Sequence, residues 1–118
     1  AKDHAESFLM LQSGRAAAFM MDDILLAGEK SKAKNPEQWQ IVGTAPINEI
    51  YGCMLRKGDT KFKQVVDDAI KATYSSGEIN NMYKKWFQSP IPPKNINLNF
   101  AMSDDLKSLI SNPHDRDQ

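Results

Sequence analysis

The sequence predicts an α/β fold, and three stretches predict it. Ala16 to Met21 is an unbroken run of small and apolar residues that ends in the pair Asp22-Asp23. Trp39-Gln40-Ile41-Val42 and Glu49 to Arg56 are further strand-like runs, and segments with helical spacing stand between and around all three. Helix, strand, helix, strand between Asp3 and Val42 is the order of proteins built on a parallel sheet with right-handed crossovers.

In order along the chain, Asp3 and Glu6 form a capping box that starts a first helix. Ala5, Phe8, Leu9 and Gln12 share one face of it, and Gly14 is its stop. After the first strand Asp23 is the expected N-cap of a helix from Ile24 to Ala33, with Ile24, Leu25 and Ala27 inward. Lys30, Lys32 and Lys34 complement the negative end of its dipole, and Asn35-Pro36 closes it. A loop from Gly43 to Asn48 leads to the third strand, where Tyr51, Cys53 and Leu55 alternate onto one side. Lys57-Gly58-Asp59 turns the chain and Thr60 is the expected cap of the next helix.

That helix carries the strongest apolar stripe, namely Phe62, Val65, Val66, Ala69, Ile70 and Thr73. Ser75-Ser76-Gly77 interrupts it, and Glu78 to Phe87 follows with an aromatic face of Tyr83, Trp86 and Phe87. Pro90, Pro92 and Pro93 predict an extended surface connector. Ser103 restarts a short helix containing Leu106, Leu109 and Ile110, ended by Asn112-Pro113 before a polar tail from His114 to Gln118. The first helix begins almost at residue 1, with no strand ahead of it to pair with Ala16 to Met21, so the chain reads as the back half of a larger fold.

Composition narrows the function. The 118 residues suit one small domain or part of a larger one. Lys+Arg and Asp+Glu both number 15, and this zero net charge, with scattered basic residues, argues against a nucleic-acid partner or an anionic membrane surface. No apolar run approaches the roughly 20 residues of a bilayer span. Cys53 is the single cysteine, so no internal disulfide forms; it is either core packing or half of a pair completed elsewhere.

Candidate site residues follow from what each position would cost. A carboxylate at the end of a buried strand is expensive unless paired, and in open α/β sheets ligands bind at that end. Asp22 therefore has two readings: a second cap for the helix, or the partner of a ligand's ammonium group. His4 is either a solvated residue or, with the free N–H groups of its helix start, an anion contact. No His/Cys cluster has metal-ligand spacing, no glycine loop suits a phosphate, and no cofactor or metal is expected. His4, Asp22 and Cys53 lie in separate segments with no shared catalytic motif, so binding is expected and an enzyme is not.

Several stretches together resemble a known family. They are Ser13-Gly14-Arg15-Ala16, Phe19-Met20-Met21-Asp22-Asp23, Tyr51-Gly52-Cys53-Met54-Leu55-Arg56-Lys57, Ser76-Gly77-Glu78, Lys84-Lys85-Trp86-Phe87 and the region from Pro90 to Phe100. They resemble the polar amino-acid-binding proteins of bacterial ABC importers, in particular members that take acidic amino acids. The resemblance implies a two-lobe periplasmic binding protein (type II) fold with its N-terminal half absent. Residues 1–48 would be the second half of lobe two; 49–118 would be a hinge strand and the returning part of lobe one. It implies Asp22 as acceptor of the ligand's α-ammonium group and His4 as contact to its side-chain carboxylate. Glutamate or aspartate as ligand, a membrane permease as partner, a periplasmic location and a disulfide from Cys53 to the absent half are likewise implied. A fragment with uncovered sheet edges could also associate with itself as a homo-oligomer.

Overall fold

Asp3 opens the first helix, α1 (His4–Gln12), by accepting a hydrogen bond from the Glu6 N–H at 2.8 Å. Gly14 closes it from the left-handed region, φ 71°, where a side chain would be strained. The Gly14 N–H donates to the Leu11 carbonyl at 3.1 Å and the Arg15 N–H to that of Met10 at 2.9 Å. This pair of bonds is a Schellman closure, and it satisfies carbonyls that the end of a helix would otherwise leave open. The computed structural model describes residues 1–43 and 49–114, so most of the expected loop from Gly43 to Asn48, and the tail beyond His114, lie outside the described residues.

The second helix, α2 (Asp23–Lys32), begins one residue earlier than expected, with Asp22 and not Asp23 at its N-cap position. A short 3-10 turn at Pro36–Gln38 follows it. Asp59, not Thr60, caps α3 (Thr60–Ser75), accepting from the Phe62 N–H at 3.0 Å. Gly77, at φ 76°, breaks the chain between α3 and α4 (Glu78–Phe87). Ser103 caps α5 (Asp104–Ser111) by accepting from the Leu106 N–H at 3.2 Å.

The expected strands are not formed. Ala16 to Met21, Trp39 to Val42 and Glu49 to Arg56 carry no ladder among the described residues. A helix satisfies its backbone groups within itself, whereas a strand needs a neighbour in register. These segments find no such neighbour within the described chain. Among the described residues one bridge, Ile91 to Ile96, closes a tight reversal in the proline segment, so that segment folds back and does not extend along a surface. The Asn97 side chain then donates to the Gln88 carbonyl at 3.2 Å, and the Phe100 N–H to the Phe87 carbonyl at 3.0 Å.

Packing gathers in two places. The helix α1 packs on α2, and α2 on the 3-10 turn, with Phe8 set edge-on against Trp39. The helix α3 packs on α4 and α5. There Tyr83 lies against the Phe87 ring at 4.6 Å and donates its hydroxyl to the Ala101 carbonyl at 3.2 Å. Among the described residues, Phe8, Ala27 and Tyr83 are the buried apolar ones. The apolar stripe of α3 is formed but uncovered, with Phe62 51% and Val65 62% exposed.

Size measures the same openness. The accessible surface is 9763 Å², against about 6,500 Å² for a compact monomer of this mass. The radius of gyration is 17.3 Å, where a compact chain of this length has about 13.5 Å.

Candidate functional site

Asp22 ends the extended segment at φ −53°, ψ 135°, and its backbone carbonyl accepts from the Leu26 N–H at 2.9 Å, the first turn of α2. Its side chain makes no capping bond. One of the free N–H groups there, that of Ile24, is met instead by the Asp23 carboxylate, which accepts from it at 2.7 Å. The two carboxylates thus divide their work. Asp23 serves the helix, although from its first turn and not from the cap position. Asp22, half-buried, is left with its charge directed elsewhere.

What it meets is Tyr51. The phenol hydroxyl donates to Oδ2 of Asp22 across 29 positions of sequence. That bond is the largest cause holding the Tyr51 proton above the ordinary tyrosine range, followed by slight burial and by the negative charges of Asp22, Asp23 and Glu49. Asp23 also acts on Tyr83: burial first, and then the charge of Asp23, push the Tyr83 hydroxyl upward. The start of α2 is therefore a concentration of negative charge with one neutral hydroxyl donor, that of Tyr51, on it. Such an arrangement suits a cation with several N–H donors.

His4 occupies the first position of α1 and is exposed, without a side-chain hydrogen bond among the described residues. The structure brings Tyr51 to Asp22 and does not bring His4 to either by hydrogen bonding. Cys53 is free and exposed, which corrects the core-packing reading of that thiol. Two shallow concavities flank the proline reversal, one lined by Trp86 and Pro90, the other by Gly28 and Pro93; none of Asp22, His4 and Tyr51 lines either. Among the described residues no three His, Cys, Asp or Glu side chains gather as a metal site, and no helix is long and apolar enough to cross a membrane.

The contact of Tyr51 with Asp22 is not foreseen from the sequence. Alternation placed Tyr51 beside Cys53 and Leu55, but no local pattern ties it to a carboxylate 29 positions away.

The chain belongs to the bacterial extracellular solute-binding proteins, family 3, whose model matches residues 3–89. It is 64% identical over 116 residues to the L-glutamate/L-aspartate-binding protein of Pseudomonas aeruginosa, covering 98% of this chain and 38% of that protein. It is 56% identical, over the same shares, to the glutamate/aspartate import solute-binding protein of Escherichia coli. An ABC transporter glutamine-binding protein of Bacillus subtilis is 30% identical over 87 residues, 74% of this chain and 31% of the relative. The chain thus spans well under half the length of the curated relatives it matches.

Proposed function

We propose that the chain is part of a solute-binding protein that takes glutamate or aspartate and delivers it to the membrane permease of an ABC importer. The observation that carries this reading is the Asp22 carboxylate, half-buried at the start of α2 yet unused by that helix. A zwitterion's α-ammonium group is the ligand part that such a carboxylate fits, because it neutralises the charge and supplies N–H donors. His4, at the positive end of α1, takes the ligand's side-chain carboxylate, an assignment supported by the helix dipole and by the imidazole's ready protonation. The names of the two most similar relatives described above support an acidic amino acid as ligand. Their matches take in the proline reversal and α5, beyond the end of the family match at residue 89.

In this reading residues 1–48 belong to lobe two, and 49–118 supply a hinge strand and the returning part of lobe one, in an α/β two-lobe fold. Ala16 to Met21, Trp39 to Val42 and Glu49 to Arg56 become strands when the rest of each sheet is beside them. The uncovered stripe of α3 supports this, as does the excess accessible surface. Ligand is held by closure of the lobes about the hinge. The protein works in the periplasm, where Cys53 pairs with a cysteine elsewhere in the protein. It binds and hands over its ligand without chemistry.

Calorimetry tests the reading. In a full-length protein carrying these residues, Asp22→Ala costs about 2–5 kcal/mol of glutamate affinity, since the ammonium is then buried unpaired. Wild-type affinity in that variant overturns the assignment. The isolated chain binds glutamate very weakly or not at all, because the facing groups come from the rest of the fold. Micromolar binding by the isolated chain would contradict this.

A further inference from the structure

We infer that Tyr51 is a positioning residue for the ligand's ammonium group, acting through its hydrogen bond to Asp22. The inference rests on the reading of Asp22 as the ammonium acceptor. Nothing within α2 fixes the Asp22 carboxylate, which makes no capping bond. Tyr51 fixes it from outside by donating to Oδ2. A phenol has a single proton to give, so Oδ1 stays open to a second donor.

The choice of donor matters for charge. A lysine or arginine in the same place would hold Asp22 equally well but would neutralise it, and no cation would then be needed. A neutral hydroxyl orients the carboxylate and leaves its full charge for the ligand. Asp23 and Glu49 also face the Tyr51 hydroxyl with negative charge, so the proton stays on the phenol and keeps it a donor. Tyr51 is 73% exposed, so no close packing fixes its ring, and the bond to Asp22 is the contact that holds the hydroxyl. The bond also joins two separate chain segments, the start of α2 and the segment after residue 48. Orientation of Asp22 therefore depends on the approach of the second segment.

The test is a double-mutant cycle in the full-length protein carrying this chain, read by calorimetry with glutamate and by melting temperature without it. Tyr51→Phe weakens glutamate binding about tenfold, the size expected for losing one hydrogen bond to a charged group. The melting temperature stays near that of the wild type, since an exposed ring is retained. In the Asp22→Ala background Tyr51→Phe adds no further loss, as its only route to the ligand is gone. Undiminished or tighter glutamate binding by Tyr51→Phe overturns the inference, as does a full further loss in the Asp22→Ala background. Weak binding by Asp22→Ala beside normal binding by Tyr51→Phe removes the positioning role alone. Normal binding by Asp22→Ala removes both readings.

Discussion

Phe8 and Trp39 meet edge to face, with ring centroids 5.4 Å apart and planes at 66°. This contact joins α1 to the segment after the 3-10 turn, and Phe8 is one of few side chains the chain buries by itself. Phe8→Ala removes the ring and leaves a cavity, at a cost of about 3 kcal/mol; Phe8→Leu costs less than about 1.5 kcal/mol. Urea denaturation followed by helical circular dichroism measures both. Equal midpoints for Phe8→Ala and the wild type would show that the pair does not hold α1.

Asp22 and Asp59 both stand at N-cap positions, but only Asp59 accepts a backbone N–H there. Asp59→Ala therefore lowers stability by about 1 kcal/mol. Asp22→Ala loses the dipole interaction and the solvent-exposed bond from Tyr51 but no cap, and lowers stability by only about 0.5 kcal/mol. Thermal melts of the two variants decide the matter. A larger cost for Asp22 would return it to the role of a structural cap.

Gly77 sits at φ 76° between α3 and α4, and a Cβ there would meet only the Asn80 side chain at 3.8 Å. Space is available, so the cost of Gly77→Ala is the left-handed backbone itself, about 1 kcal/mol. Gly77→Asn costs less, because asparagine tolerates that region better. Chemical denaturation that ranks alanine at or above asparagine would contradict this account.

Tyr51 is held protonated above the ordinary tyrosine value of 10.0, first by its bond to Asp22. A raised value in the folded chain means that the contact is fully present below the ordinary ionisation range and is lost as pH rises through the higher value. Ultraviolet titration at the phenolate band reads this directly. Asp22→Asn shifts the Tyr51 ionisation to lower pH, with Asp23 and Glu49 still raising it somewhat. An unmoved curve would mean that the bond to Asp22 is not the cause.

Helices were legible from the sequence because their signals are local. Asp3 with Glu6, Gly14, Gly77 and Ser103 mark starts and stops within a few residues of the bonds they make. Strands are the opposite case: the runs at Ala16, Trp39 and Glu49 have strand composition, but a strand forms only beside a partner in register, and among the described residues none stands beside them. The proline segment departs from its expected extended course for a related reason. Three prolines exclude regular structure, but the reversal is made by Ile91 meeting Ile96. At the site, the sequence singled out Asp22 by giving the helix to Asp23. In the structure Asp22 stands at the cap position without a capping bond, and Asp23 accepts from the Ile24 N–H within the first turn. Tyr51 stayed invisible because its partner lies 29 positions away.

The reversal at Ile91–Ile96 has a bearing on what a protease would find. Lys94 lies exposed within that turn. Trypsin cutting after it would divide the covalent chain without releasing the C-terminal piece. That piece stays docked through the Phe100 N–H on Phe87, the Asn97 side chain on Gln88 and the Ala101 carbonyl under Tyr83. A nicked sample would run as two bands on a denaturing gel and as one particle in solution.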